Sequence, residues 1–433
     1  MLNNTSLQSQ ISGAEINYRR TITILIFFVL SCCITSIEAK TFKIASYNVE
    51  NLFDLIRDGT EYPEYIPNTV YGWTKDSAHI KYTNIAKVIK DLECDVIALQ
   101  EVESQKALVT LRNRLKDFGV DYPYLEIADS KPTPVKCAVL SKFKILKKEE
   151  IKVDNNEARN ILKVTLDIDG KCLILYINHW KSKRGPESMR IAYAKTLKKE
   201  IDTLKEDIDF ILIGDFNSNY NEYITIQDSG KLNNTGGITG INHILRTIKD
   251  SHMVTEYIMI TYTSNEYLYN LWLEVAETNR WSYKFLEEKE SPDNIIISKG
   301  LYDNKGISYS DNSFNTFHPD YLFKGKSIYR WQIAKRGRHL GKGYSDHLPI
   351  YAYFFTEPFR FKNNDPETSR PRHRLYDLNT ASKKELMSIN GIGPVLAERI
   401  IAGRPYRAID DVLKIKGIGP KRFQKLRTYF FVE

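Results

Sequence analysis

Cysteine is scarce in this sequence: there are five in 433 residues, and two of them lie in an apolar stretch near the N-terminus. The other three, Cys94, Cys137 and Cys172, are too few and too widely spaced for a disulfide framework, and their spacing matches no zinc site. The sequence therefore excludes a disulfide-rich scaffold. We predict that the three cysteines are small residues of a core.

The chain also lacks the composition of a disordered or fibrous protein. Its residues are 42% hydrophobic and 27% charged, which is enough for a large core and more than one domain. The formal net charge of +8 is uneven, because residues 357–433 hold 16 Lys and Arg against nine Asp and Glu. A basic terminal segment favours a polyanionic partner, although a solvated charged surface is the alternative.

Long apolar runs are absent except at residues 21–37, which contain no charged side chain. This run follows Arg19 and Arg20 and precedes Ala39, which is the pattern of an export signal cleaved after Ala39. Two alternatives stay open, an uncleaved membrane anchor and a lipoprotein processed at Cys32. All three predict that the rest of the chain functions outside the cytoplasm.

Short apolar runs recur between residues 41 and 355, separated by stretches with helical spacing. They predict strands at residues 42–47, 96–99, 136–140, 173–177, 210–213, 294–297 and 348–354. Helices are predicted at residues 82–92 and 189–204, where apolar residues recur three and four apart. The pattern indicates a layered α/β domain.

Polar side chains border six of these strands. Because successive strand residues point to opposite faces, we expect Asp215 and Asn217 on the same side of the strand that ends beside them. Asn48, Glu101 and His179 end three further runs. Turn chemistry explains one such residue but does not account for six strands. We therefore predict a site at one edge of the sheets.

The order of these polar residues along the chain resembles the endonuclease/exonuclease/phosphatase superfamily of DNase I-like enzymes. The matching residues are Asn48, Gln100-Glu101, Asn178-His179, Gly214-Asp215-Phe216-Asn217, Asp293 and Ser345-Asp346-His347. The resemblance covers residues 41–355 and implies a four-layered α/β sandwich of two mostly antiparallel sheets with outer helices. Residues 178–182 are most similar to exported bacterial nucleases. Residues 52–83 depart from the family pattern and receive no assignment.

The resemblance implies a role for each matching residue. The implied metal ligands are Asn48, Glu101 and Asp346, and the implied catalytic residues are His179, Asp215, Asn217, Asp293 and His347. Asp215 would orient or deprotonate water, Asn217 would hold a phosphate oxygen, and His347, oriented by Asp293, would act as acid, base or charge stabiliser. Carboxylate and amide oxygens suit Mg²⁺ or Mn²⁺ better than zinc. Arg159 is a candidate phosphate ligand, with a surface role as its alternative.

The tail contains two versions of one pattern, 26 residues apart: residues 385–394 and 411–420 both end in Gly-Ile-Gly-Pro. Each copy predicts a helix, a tight glycine hairpin and a second helix, and Ser382 with Glu385 predicts a capping box. Residues 377 onward resemble the helix-hairpin-helix pair of exported competence-type DNA-binding proteins, which implies sequence-independent duplex binding through phosphates. The candidate DNA-binding residues are Gly391, Gly393, Gly417, Gly419, Lys421, Arg422 and Lys425.

These patterns predict four segments. They are an export signal or anchor at residues 1–40, a catalytic domain at 41–356, a linker at 357–376 and a tandem helix-hairpin-helix domain at 377–433. The predicted function is an exported, metal-dependent nuclease that hydrolyses DNA with low sequence specificity. It needs no small-molecule cofactor, and it contacts a membrane only if the N-terminal segment stays uncleaved. The alternatives are a phosphatase or phospholipid phosphodiesterase of the same fold and a non-catalytic DNA-binding protein for DNA uptake.

Overall fold

The structure is a computed structural model that describes residues 40–432, apart from 156–157, 206, 262–265, 286, 304, 359–375, 388, 390, 420–421, 424–425 and 427–428. The predicted export segment and most of the predicted linker lie outside the described residues. Within the part of the chain that is described, no helix has the length and apolar content needed to cross a bilayer.

The described chain contains the following strands and helices. The strands are β1 (Thr41–Leu52), β2 (Val96–Val102), β3 (Tyr124–Ile127), β4 (Lys136–Ser141), β5 (Lys144–Ile151), β6 (Ile161–Ile168), β7 (Lys171–His179), β8 (Phe210–Asp215), β9 (Ile248–Lys249), β10 (His252–Met253), β11 (Tyr269–Asn270), β12 (Tyr283–Phe285), β13 (Glu288–Glu290), β14 (Asp293–Ile297), β15 (Ser308–Tyr309), β16 (Asn315–Thr316), β17 (Phe323–Lys324), β18 (Ser327–Ile328), β19 (Ile350–Phe355), β20 (Tyr376–Asp377) and β21 (Phe430–Phe431). The helices are α1 (Lys75–Leu92), α2 (Gln105–Asp117), α3 (Glu187–Ile201), α4 (Glu222–Thr225), α5 (Glu256–Thr261), α6 (Lys383–Met387) and α7 (Pro394–Ala402).

Two mixed sheets dominate the region before residue 356. The first has the strand order β15-β19-β1-β2-β4-β3, with β16 also paired to β19, and the second has the order β11-β14-β8-β7-β6-β5. Within them β1 with β2 and β7 with β8 are parallel pairs, and the other pairs are antiparallel. The predicted pair of mostly antiparallel sheets is confirmed.

Four layers result because the central strands bury both faces. In β8, Ile211 and Ile213 join the core between the two sheets, whereas Phe210 and Leu212 join a second core with Leu197 of α3. A third core lies on the outer face of the first sheet, against α1 and α2. This double burial explains why these strands are continuous apolar runs in the sequence.

Two sequence predictions in this region need correction. Helix α1 begins at Lys75 rather than at residue 82, because Thr74 and Ser77 cap its N-terminus with reciprocal hydrogen bonds. Cys94 and Cys137 are buried, as predicted, but Cys172 is exposed. The prediction for Cys172 was wrong because it lies at the start of β7, where alternate residues face solvent.

The unassigned residues 52–83 pack as an aromatic cluster. The ring of Tyr65 lies 4.4 Å from that of Phe53 and 5.0 Å from that of Trp73. The indole of Trp73 donates to the carbonyl oxygen of Asp54 at 2.9 Å. His339, from a later loop, closes the cluster with a ring 4.8 Å from Tyr65. The segment is therefore a packed part of the domain rather than an open loop.

The tail has its own core. Leu378, Leu386, Leu396, Ile400 and Leu426 are among its buried members. Ser382 and Glu385 form the predicted capping box, since each side chain accepts from the other residue's backbone nitrogen. In the second copy the first helix, Ile409–Lys414, is a 3-10 helix rather than an α-helix. Lys421 and Lys425 lie outside the described residues.

Candidate active site

The two sheets bring most of the predicted site residues to one edge. Asn48 and Glu101 come from the neighbouring strands β1 and β2 of the first sheet. His179, Asp215 and Asp293 come from β7, β8 and β14 of the second sheet, in which Asp215 lies directly opposite both of the others. The site is therefore assembled from both sheets.

Asp293 and His347 form a buried, hydrogen-bonded pair in the site. Oδ2 of Asp293 lies 2.7 Å from Nδ1 of His347 and also accepts a hydrogen bond of 2.6 Å from the Ser282 hydroxyl. Ser345 fixes the loop, because its hydroxyl donates to the Asn48 carbonyl oxygen at 2.6 Å and accepts from the His347 backbone nitrogen at 3.1 Å. Because Nδ1 is engaged, Nε2 of His347 is the ring nitrogen that can form a hydrogen bond to a substrate.

Asp215 is buried beside these residues, with 2% exposure. Its Oδ2 accepts a hydrogen bond of 3.0 Å from Nδ2 of Asn48, which also lies 3.4 Å from Oε1 of Glu101. Nε2 of His179 lies 3.7 Å from carboxylate oxygens of both Glu101 and Asp215. Asn48 and His179 therefore connect the two carboxylates.

Asn217 reaches the site by a route that strand alternation does not describe. Strand β8 ends at Asp215, and Asn217 has a left-handed backbone with φ +47°. Its backbone nitrogen donates to Oδ1 of Asp215 at 2.8 Å, and its side-chain amide donates to the carbonyl oxygen of Trp180 at 3.1 Å. The expectation that Asp215 and Asn217 share one strand face does not apply to Asn217, because β8 ends at Asp215, two residues before it.

Burial and neighbouring charges shift the pKa values of the site in opposite directions. Burial and Asp293 raise the pKa of Asp215 to about 7, against a lowering by His347. Burial opposes the charge on His347, but Asp293 outweighs it and raises the pKa of His347 well above the ordinary value. Burial, Arg159 and His347 lower the pKa of His179 well below the ordinary value. At neutral pH one histidine is therefore charged and the other neutral.

Charged residues around Glu101 and Asp346 form a network. Burial and Asp346 raise the pKa of Glu101. The guanidinium of Arg159 acts on both Glu101 and His179, so the predicted phosphate ligand faces the site. The carboxylate of Asp346 pairs with the guanidinium of Arg330 at 3.3 Å.

Sequence reasoning missed three residues that contact site residues directly or through one another. Arg330 also pairs with the buried Glu50. Oε2 of Glu50 accepts from the backbone nitrogen of Trp331 at 3.0 Å. The third missed residue is Ser282, the partner of Asp293. No local motif marks any of these residues, because each partner is distant along the chain.

In the tail, Arg422 joins the two glycine hairpins. Its Nε donates to the carbonyl oxygen of Gly391 at 3.0 Å, and its Nη1 donates to that of Gly417 at 2.7 Å. Gly391 and Gly417 have φ of +102° and +105°, so their backbone favours glycine. Gly393 and Gly419 lack a positive φ, and an added Cβ at either would meet no heavy atom of the described residues within 4 Å.

Comparison with known proteins agrees with this geometry. Residues 43–237 match the endonuclease/exonuclease/phosphatase family, and residues 373–431 match the helix-hairpin-helix motif. The chain carries a domain of the endonuclease/exonuclease/phosphatase family. The family match ends at residue 237, and the sheet that contains β8 continues beyond the matched residues, because β14 pairs with β8.

Individual relatives match only parts of the chain. ComE operon protein 1 of Bacillus subtilis is 41% identical over 63 residues, which are 14% of this chain and 31% of that protein. A deoxyribonuclease of Thioalkalivibrio is 35% identical over 84 residues, which are 19% of this chain and 23% of that protein. The chain thus spans under a third of the length of these relatives.

A solved structure of D. rerio TDP2, described as a complex with a single-strand DNA product, is also similar. The identity is 17% and the TM-score 0.44, with 73% of this chain and 99% of that chain covered. The printed name of the matching family joins nucleases and phosphatases, two classes of enzyme that act on phosphate esters.

Proposed function

We propose that this chain is an exported, metal-dependent nuclease that hydrolyses phosphodiester bonds of DNA with little sequence preference. The observation that carries the proposal is the buried group of Asp215, Asp293 and His347, which present ligand or proton-transfer atoms within 4.8 Å of one another. Asp215 lies within the residues that match the endonuclease/exonuclease/phosphatase family, and a helix-hairpin-helix motif follows the group along the chain.

The donor atoms of the site suit a hard divalent cation. Burial and the nearby carboxylate of Asp346 raise the pKa of Glu101, and a cation beside these carboxylates relieves their repulsion. Glu101 and Asp346 would hold Mg²⁺ or Mn²⁺, with Asn48 beside them. When bound, the ion offsets negative charge on the phosphate.

Asp215 is the proposed base. A pKa of about 7 places it near the operating pH, where a general base is most effective. The hydrogen bonds from Asn48 and from the Asn217 backbone hold its carboxylate in one orientation. Asp215 would take a proton from the attacking water.

His347, His179, Asn217 and Arg159 would serve the phosphate. His347 is held charged by Asp293, so its Nε2 stabilises charge that develops on the phosphate or on the leaving oxygen. His179 stays neutral and can donate one hydrogen bond to a phosphate oxygen. Asn217 would hold a phosphate oxygen, and the Arg159 guanidinium would bind it by a charge-assisted hydrogen bond.

The tail is the proposed site of DNA binding. The fold does not require glycine at Gly393 or Gly419, because an added Cβ would project into open space. A partner that approaches the backbone closely does require glycine at these positions, because a side chain would block the approach. The backbone nitrogens at the start of α7 can bind a phosphate of such a partner. Lys421 and Lys425 would add positive charge. Arg422 is already bonded to both hairpins, so we assign it to holding them together.

The remaining parts of the proposal rest on the sequence. We propose segments at residues 1–40, 41–356, 357–376 and 377–433, in the order export signal or anchor, catalytic domain, linker and DNA-binding domain. Export is supported by the basic and apolar pattern before Ala39. The DNA substrate is supported by the printed name of the Thioalkalivibrio relative.

Plasmid cleavage tests the proposal. The purified chain is incubated with supercoiled plasmid in Mg²⁺, in Mn²⁺ or in EDTA, beside His347→Ala and the exposed control His318→Ala. We expect metal-dependent cleavage that His347→Ala abolishes and His318→Ala retains. If the chain binds plasmid but cleaves it in neither metal, the nuclease proposal is wrong. If it cleaves phosphate monoesters and not plasmid, the phosphatase alternative replaces it.

A further inference from the structure

A second group of carboxylates lies outside the proposed catalytic centre. Asp58 and Glu61, in the segment that the sequence left unassigned, converge on Glu103, which follows β2. One carboxylate oxygen of each residue lies within 4.8 Å of the others. Asp58 is exposed, whereas Glu103 is buried, with 2% exposure. Three acidic groups at this distance repel one another unless a proton or a cation lies between them.

Glu103 supplies an independent sign that something binds here. Its Oε2 accepts a hydrogen bond of 2.6 Å from the backbone nitrogen of Asp54. Its Oε1 is buried and has no hydrogen-bond partner among the described residues. A buried carboxylate oxygen without a partner is costly, because it has lost water and gained nothing in exchange. A bound cation removes that cost.

The surface segment already holds its carboxylates in place. Glu61 accepts hydrogen bonds from the backbone nitrogens of Asp58 and Gly59. Oδ1 of Asp58 accepts from the backbone nitrogen of Thr60 at 2.8 Å and from its hydroxyl at 2.7 Å. The ammonium of Lys136 lies near the group, but it donates to the carbonyl oxygens of Glu103 and Thr133. Lys136 therefore does not neutralise Oε1 of Glu103 by a hydrogen bond, and that oxygen stays without a partner among the described residues.

We propose that Asp58, Glu61 and Glu103 form a calcium site separate from the proposed catalytic centre. The donors are all oxygens, which excludes the ligand set preferred by zinc. Ca²⁺ accepts irregular sets of six to eight oxygens that include waters, whereas Mg²⁺ requires nearly ideal octahedral geometry. A site that is buried on one side and open on the other matches the calcium requirement, because water completes the coordination shell.

The proposed site would fix one wall of the active-site cleft. Tyr62 follows Glu61 directly, and its ring lies 5.6 Å from that of Phe53. The Tyr62 hydroxyl interacts with the guanidinium of Arg159, the proposed phosphate ligand. A calcium ion that ties Glu61 to Glu103 therefore restrains the residue next to the phosphate ligand. The ion acts on positioning and stability, not on the chemical step.

Calorimetric titration and thermal unfolding of the full chain test the site. After EDTA treatment and its removal, Ca²⁺ is added to the wild type, to Asp58→Asn/Glu61→Gln and to Glu101→Gln. We expect Ca²⁺ to raise Tm increasingly with its concentration. The double variant, whose changes lie at the surface, should bind Ca²⁺ about tenfold more weakly or not at all. Glu101→Gln, which alters only the proposed catalytic centre, should keep the effect. Glu288→Gln, an exposed carboxylate elsewhere, is the matched control.

Two results would overturn the calcium site. One is the absence of any Ca²⁺ effect on wild-type Tm and binding heat. The other is an effect that Glu101→Gln removes and the double variant keeps, which places the ion at the catalytic centre. Because the readouts are binding and Tm, the outcome is independent of whether the chain cleaves DNA.

Discussion

Oδ2 of Asp293 and Nδ1 of His347 are joined by a buried hydrogen bond of 2.7 Å, although the two residues lie 54 positions apart. The bond fixes the ring and raises the pKa of His347, so that the imidazolium persists at neutral pH. The hydroxyl of Ser282 binds the same carboxylate oxygen. The pair therefore determines both the orientation and the charge of the proposed catalytic histidine.

Asp293→Asn should alter the charge of His347 without preventing the chain from folding. Asparagine keeps the size of the side chain but removes the charge that sustains the imidazolium. We expect kcat to fall about 10²- to 10⁴-fold. We also expect the alkaline limb of the profile of kcat/KM against pH to move to lower pH, because the pKa of His347 falls. The exposed Asp228→Asn should change neither quantity. An unchanged alkaline limb in Asp293→Asn would show that His347 does not depend on Asp293 for its charge.

Asp215 should impose a stability cost that depends on pH. Its pKa is about 7 in the folded chain and about 3.9 in an unfolded chain, so between these values the folded state holds more protons. The free energy of unfolding of the metal-free chain should therefore fall as pH rises from 4 to 7, on the order of 3 kcal/mol from this group. Asp215→Asn should remove that slope, raise Tm at pH 8 and abolish activity.

Asp209 provides the matched control for this prediction. Burial raises its pKa to about 7 as well, but its carboxylate accepts from the backbone nitrogen of Ile307, away from the site. Asp209→Asn should change the pH dependence of stability in the same direction and leave activity intact. Calorimetry in EDTA and plasmid assays in Mg²⁺ give the two readouts. If Asp215→Asn has a lower Tm than the wild type at pH 8, the ionised Asp215 carboxylate does not destabilise the fold and the prediction is wrong.

Gly214 allows β8 to approach β7 closely. Its φ is +131°, and a Cβ there would lie 2.1 Å from the carbonyl oxygen of Asn178. Gly214→Ala must therefore move the strand that carries Asp215, and we expect a loss of about 2–4 kcal/mol of unfolding free energy together with activity. Gly230→Ala, where a Cβ meets no described atom within 4 Å, is the control. Denaturant unfolding measures both variants, and equal stability of the two would refute the close approach.

Gly393 and Gly419 should be required for DNA affinity but not for the stability of the fold. Alanine at both positions fills the space through which a phosphate would approach the backbone, so we expect duplex affinity to fall about tenfold. Tm should stay at the wild-type value, because the added methyl groups meet no described atom. Gly391→Ala, at φ +102°, should instead destabilise the tail. Fluorescence anisotropy with a labelled duplex gives the affinity, and an unchanged affinity would remove these glycines from the DNA-binding surface.

Local sequence patterns predicted the central strands of the fold because these strands bury both faces in one apolar run. The start of helix α1 was predicted less accurately. The helix begins after a cap formed by Thr74 and Ser77, whereas the apolar spacing in the sequence becomes clear only at residue 82. The position of Asn217 could not be derived, because it depends on where β8 ends. The contact of Glu50 with Arg330 spans 280 positions, and no local pattern encodes a contact of that length.

The division of the site between two sheets has a consequence for biosynthesis. Asn48, Glu101 and the loop before β19 belong with one sheet, whereas His179, Asp215 and Asp293 belong to the other. Neither half brings together the proposed base, the charged histidine and the carboxylates proposed to bind metal. A newly made chain therefore gains its complete candidate site only when the two sheets dock, so the proposed activity requires folding of the whole two-sheet region.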